Sequence, residues 1–291
     1  MTRVLSALVL LPVVIGTIFF LPPWGTFVLA SVAALLAFRE YCTIAQALEV
    51  SVPRVLGAVA VLLVCFAMWM ADRPSDMASM QGDPLVFPNL VYLVLMAGLI
   101  VVGAVSIGRG RPAPGVLADA AATLFAAIYI GLPLGALAAV RGILGAFAVR
   151  SDFPWPFGDG RAVLMVLLAV IVVSDSAQYY TGRAFGRRPL SPAISPKKTV
   201  EGAIGGAVSG TLAMALAGHY VFRSPMWMLA LLGATISLLG IVGDLFESLL
   251  KRSAGVKDSS HLIPGHGGVL DRIDSWLFAA PVYYFFVRFL A

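Results

Sequence analysis

The sequence predicts an all-α fold, a polytopic integral membrane helical bundle of about nine transmembrane helices, and three observations predict it. Of the 291 residues, 60% are hydrophobic and only 12% charged, with a mean hydropathy of +0.94. A soluble domain is about half apolar and a quarter charged. The apolar residues fall in long runs near the roughly 20 that a helix needs to cross a bilayer, joined by short connections. Lys and Arg gather in alternate connections, which sets the N-terminus inside and the C-terminus outside. The chain divides at 1–145, with about five spans, and 146–291, with about four spans and polar cytoplasmic loops.

Arg3 precedes the first run, Val4 to Leu21, which Pro22, Pro23, Trp24 and Gly25 end. It is too long for the apolar region of a signal peptide and no small-x-small cleavage site follows, so it reads as a span. The second starts near Thr26 and carries Arg39 and Glu40 at its far end; the third covers about Val55 to Ala71. After an acidic loop, Asp72 to Pro84, the fourth runs from about Phe87 to Ile107 and closes on Arg109 and Arg111. The fifth, about Leu117 to Val140, contains Pro133, which is expected to kink it. A long connection follows, with an interfacial aromatic turn at Phe153 to Gly158. The last four spans are about Ala162 to Tyr180, Gly202 to Val221, Trp227 to Leu250 and Trp276 to Leu290. The seventh is rich in small residues, which suits close helix packing.

The net charge of +5 could suit nucleic acid. In a polytopic chain it reads instead as positive charge retained on the cytoplasmic side, and no nucleic-acid partner is expected. Cys42 and Cys65 lie in or beside apolar runs and read as packing residues.

The polar residues are not scattered. Asp175, Gln178, Tyr179 and Gly182 recur at i, i+3, i+4, i+7 and share one helix face at the end of the sixth span. A carboxylate there faces a polar cavity or pairs with Arg183. The following stretch, Arg183 to Lys198, is basic and stiffened by Pro189, Pro192 and Pro196. It reads either as a phosphate-binding loop or as an ordinary positive-inside loop. Asp244, Glu247, Ser248 and Lys251 repeat the one-face spacing on the eighth span. Asp271 and Asp274 stand three apart at the start of the ninth, where both can face one point. Hard oxygen ligands without cysteine suit Mg²⁺ held by one or two carboxylates, water and substrate phosphate. His261 and His266 lack zinc-site spacing, and Gly265 to Gly268 reads as a tight loop bringing backbone near a phosphate. Carboxylates, cations and glycine loops at one membrane face point to phosphoryl or nucleotidyl transfer.

Residues 248 to 274 resemble the signature of the phosphatidate cytidylyltransferases. Ser248, Lys251, Arg252, Lys257, Asp258, His266, Gly267, Gly268, Asp271, Arg272 and Asp274 all stand at that family's spacing. Upstream, Ser174 to Ser176, Gly182 with Arg183, Phe185 to Arg187, and Ser195 to Gly202 are similar too, with Gln178 a small departure. The first five spans resemble the family only in hydropathy. The resemblance implies that CTP and phosphatidic acid give CDP-diacylglycerol and pyrophosphate, with Mg²⁺ as cofactor, a second cation such as K⁺, and a homodimer in the cell membrane. It implies Asp244, Asp271 and Asp274 around the metal, with Lys251, Arg252 and His266 also catalytic. Substrate binding would fall to Asp175, Arg183, Arg187, Ser195, Lys197, Lys198, Thr199, Glu201, Ser248, Lys257, Gly267, Gly268 and Arg272.

Three other readings are open. A CDP-alcohol phosphotransferase needs a helix of repeated aspartates after an Asp-Gly…Ala-Arg pattern, which this chain lacks. A related CTP-using enzyme acting on a polyprenol or ether-linked lipid phosphate would share the site. A secondary transporter would place its carboxylates in broken helices of two matching halves, whereas here they crowd helix ends and loops.

Overall fold

In a computed structural model of the chain, helices joined by short connections make up most of the described residues. The structure describes residues 2–71, 88–108, 115–142, 159–263, 265 and 267–290. The acidic loop at Asp72 to Pro84, Arg109 and Arg111, the aromatic turn at Phe153 to Gly158, and His266 lie outside the described residues.

Every apolar run expected as a span is helical. In chain order these are α1 (Thr2–Phe20), α2 (Pro23–Ala47), α3 (Arg54–Met70), α4 (Pro88–Gly108), α5 (Val116–Ala126) continuing into α6 (Leu132–Gly142), α7 (Asp159–Phe185), α8 (Val200–Val221), α9 (Met226–Ser253) and α10 (Leu270–Phe289). Among the described residues, 6 helical stretches are long and apolar enough to cross a membrane: Pro23–Ala47, Leu90–Gly108, Val116–Gly142, Gly160–Phe185, Val200–Val221 and Met226–Ser253. Leu11–Phe20 and Arg54–Met70 are apolar but shorter. The chain is thus a multi-pass membrane protein by helix length and composition. At Pro133 a π-helical turn, Ala127–Gly131, joins α5 to α6, with Leu132 N donating to Ala127 O. Proline has no N–H for the carbonyl four residues back and its ring crowds it, so the wider turn absorbs the misfit.

Two compact units are present: Met1–Gly142 with Ser253–Arg272, and Ile143–Arg252 with Ile273–Ala291. In the first, α2, α3 and the α5–α6 stretch pack together. Gly131 and Gly135 lie against the α3 backbone, where a Cβ would strike the carbonyls of Val61 and Cys65. Phe27 stacks on Trp69 with centroids 4.2 Å apart, and Cys42 and Cys65 are buried and unbonded, as packing residues should be. Buried Arg141 donates from Nε to Ile18 O (3.1 Å) and from Nη2 to Leu21 O (3.3 Å), satisfying carbonyls that the end of α1 leaves open.

The second unit is built on α7 and α8, packed along their lengths. Gly202, Gly206 and Gly210 form one face of α8 and meet Gln178 and Ser174 of α7 with no side chain between. The basic stretch expected as a stiff loop is instead an antiparallel hairpin, β1 (Pro189–Ser191) and β2 (Ser195–Thr199). It runs directly into α8, whose N-cap is Thr199: its Oγ1 accepts from Gly202 N at 3.1 Å. Tyr283 of α10 donates its hydroxyl to Val163 O of α7 at 2.6 Å.

Candidate active site

In the second unit three helices and the hairpin bring four charged groups together. Lys198 of β2 forms an ion pair with Asp244 of α9. Asp175 of α7 and Asp274 of α10 both interact electrostatically with Asp244 and Lys198, and Asp274 also with Asp175. Backbone approach makes this possible: Gly243 faces the carbonyl of Asp274, and a Cβ there would not fit. Asp274 Oδ1 accepts from Ser275 N at 2.7 Å, and Ser248 Oγ lies 3.4 Å from Asp244 Oδ1. Asp175 is directed to this group, not to Arg183, which is exposed.

Three carboxyl groups around one ammonium set several oxygen donors close together, a place that a further cation would suit. The all-oxygen donor set fits Mg²⁺, which is satisfied by one or two carboxylates and completed by water and phosphate oxygens. Among the described residues no three His, Cys, Asp or Glu side chains could hold a metal ion by themselves, so the substrate's own oxygens would have to complete the site. The side chains of Lys198 and Asp244 are 17% and 34% exposed, so the cluster can be reached.

The expected phosphate-binding cations divide into two kinds. Arg183, Arg187 and Lys197 are exposed around the hairpin. Its shape is fixed by Glu201, whose Oε2 accepts from the backbone N–H of Arg187 (3.0 Å) and Arg188 (3.2 Å). Ser195 pairs with Ser191 across the hairpin, and exposed Arg252 directs Nε at Ile194 O, 3.5 Å away. Lys251 is different: it is buried in an ion pair with the fully buried Glu247, one turn back on α9.

The remaining described signature residues lie in the first unit, on the segment before α10 and in the first turn of α10. Asp271 Oδ2 accepts from Gly268 N (2.7 Å), Ser259 Oγ (2.8 Å) and Ser259 N (3.0 Å), tying the segment into a closed loop. Gly267 has φ +79°, a left-handed conformation that glycine adopts freely, and its carbonyl accepts from Ile263 N at 2.8 Å. Gly268 sits where a Cβ would collide with Ser259 Oγ and the carboxylate of Glu40. Lys257 and Arg272 are exposed. Sequence reasoning missed Glu40, Ser259 and Ser260 as parts of this loop. The one available signal was a carboxylate near the end of an apolar helix, which is costly there unless it has partners.

The sequence matches the model of the cytidylyltransferase family over residues 1–290. It is 34% identical over 289 residues to a phosphatidate cytidylyltransferase of Brucella suis biovar 1, covering 98% of this chain and 92% of the relative. A phosphatidate cytidylyltransferase of Staphylococcus haemolyticus is 30% identical over 285 residues, with 97% and 95% covered. One from Synechocystis sp. is 48% identical over 139 residues, 47% of each chain.

Proposed function

This chain belongs to the cytidylyltransferase family, and we propose that it transfers CMP from CTP to phosphatidic acid, giving CDP-diacylglycerol and pyrophosphate, in phospholipid biosynthesis. The observation that carries this reading is the meeting of Asp175, Asp244, Asp274 and Lys198 beside a basic hairpin, in a multi-pass membrane chain. Full-length relatives bearing the name phosphatidate cytidylyltransferase supply the substrate class.

The nucleophile brings its own reactivity. A phosphate monoester has a second pKa of about 6, so at neutral pH it is largely dianionic and no strong general base is needed. One of its oxygens forms a bond to the α-phosphorus of CTP, and the bond from that phosphorus to the bridging oxygen breaks, releasing pyrophosphate. Repulsion between two polyanions is the main obstacle, and alignment plus positive charge overcomes it. Bound Mg²⁺ would supply charge neutralisation on the triphosphate. In this proposal Asp244, Asp271 and Asp274 would each contribute to holding it, with the substrate's phosphate oxygens completing its shell, a second cation such as K⁺ would accompany it, and Asp175 borders the Asp244–Asp274 cluster. Lys198, Lys197, Arg183, Arg187, Arg252 and Arg272 orient phosphates, Ser195, Thr199, Glu201 and Ser248 shape the hairpin and helix ends around them, and Lys257, Gly267 and Gly268 form the phosphate-facing loop. Lys251 is placed by Glu247, and His266 is a hydrogen-bond donor.

The finer placement belongs to the same proposal: about nine crossings, N-in and C-out, in the cell membrane, the site facing the cytoplasm where CTP is available, and a homodimer as the working unit. The test uses purified protein, phosphatidic acid and CTP labelled at either the α- or the γ-phosphate. Nucleotidyl transfer puts the α-label in the lipid and the γ-label in pyrophosphate. A γ-label in the lipid would mean phosphoryl transfer and would overturn the reading.

A further inference from the structure

We propose that Glu40, on α2, is a positioning residue for this reaction: it ties Ser259 and Ser260 to Val269 and Leu270 and, through Ser259, sets where Asp271 lies. The role rests on the nucleotidyl-transfer reading above. Glu40 is only 4% exposed, and its carboxylate receives four hydrogen bonds. Oε1 accepts from Ser260 Oγ (2.6 Å) and Val269 N (3.0 Å), and Oε2 from Leu270 N (2.7 Å) and Ser259 Oγ (3.0 Å). Every partner lies 219 to 230 residues away in sequence.

A buried carboxylate is costly unless each oxygen finds donors. Here two donors are backbone N–H groups at the start of α10, where the helix dipole also favours negative charge. The site is therefore matched to an anion fixed by one residue of α2. Ser259 makes the connection to chemistry: its hydroxyl has one proton and lies between Glu40 Oε2 and Asp271 Oδ2, while its N–H also serves Asp271. Gly268, whose N–H binds Asp271, leaves no room for a side chain against Glu40. Displacing Glu40 thus displaces Ser259, and with it the carboxylate assigned to the metal.

Glutamine has the same shape but the wrong polarity. Whichever way its amide is turned, an NH₂ faces the N–H of Val269 or of Leu270, and a backbone N–H cannot reverse. Aspartate is shorter but keeps the charge and both acceptors. A purely space-filling role makes Glu40→Gln the milder substitution; the positioning role makes Glu40→Asp the milder.

The experiment measures hydrogen–deuterium exchange and turnover of full-length wild type, Glu40→Gln and Glu40→Asp in detergent. The expectation is exchange about tenfold faster or more across 259–270 in Glu40→Gln, with residues 200–221 unchanged. Turnover should fall about 10- to 100-fold, with Glu40→Asp retaining more. Unchanged exchange at 259–270 in Glu40→Gln overturns the proposal whatever the activity. Faster exchange with full turnover also overturns it, because the loop would then be held by Glu40 without positioning anything. Wild type inactive on phosphatidic acid would sink the underlying reaction, a failure read separately from exchange. If Glu40→Gln does not fold, Ser259→Ala replaces it, with faster loop exchange and a smaller loss of turnover expected, and unchanged exchange again decisive against.

Discussion

In the proposed reaction a carboxylate beside a triphosphate hinders transfer unless a cation stands between them, which makes Asp244 and Asp274 the first residues to test. Replacing either with asparagine keeps shape and removes charge. Asp274→Asn is expected to lower turnover about 100-fold and to raise the Mg²⁺ concentration needed for half-maximal rate, checked by rate against Mg²⁺. Lys251 tests a different kind of residue. Its ammonium is paired with buried Glu247, so Lys251→Met takes a counter-charge away from a buried carboxylate and is expected to cost about 3–5 kcal/mol, seen as a lower thermal midpoint. Adding Glu247→Gln removes that carboxylate and should recover most of the stability. Activity should stay low if Lys251 also serves the substrate.

At the scale of elements, the loop before α10 depends on a glycine for space. Gly268→Ala pushes a methyl group into Ser259 and Glu40 and is expected to cost about 1–3 kcal/mol together with most of the activity, measured by thermal melting and turnover. Helices were the most legible elements, because an apolar run of span length has few other fates and the small residues from Gly202 to Gly210 advertise close packing. The hairpin was not legible. Pro189, Pro192 and Pro196 read as loop stiffeners, yet in a two-stranded ribbon both strands are edges and a missing N–H need leave no partner unsatisfied. Glu40 was illegible for another reason: its partners lie more than two hundred residues away, and no local spacing records such a contact.

For the whole molecule, the charge pattern predicts N-in and C-out. With Cys42 and Cys65 buried, removing both and placing single cysteines at Lys197 or Lys257 gives a clean test. Both positions should label with a membrane-impermeant reagent in inside-out vesicles and resist it in sealed right-side-out ones. The grouping of Ser253–Arg272 with Met1–Gly142 comes from packing that the sequence does not display. The polar clusters were readable because so few residues are charged that each one stands out; which of their members bind backbone and which pair with one another depended on the fold.

The most direct measurement is a single assay of purified protein in detergent with phosphatidic acid and CTP, with Mg²⁺ and after its removal by a chelator. The account predicts pyrophosphate and a CDP-lipid in equal amounts, abolished by chelation and restored by Mg²⁺. Product with a polyprenyl phosphate but none with phosphatidic acid would contradict the substrate, and turnover untouched by chelation would contradict the role given to the aspartates.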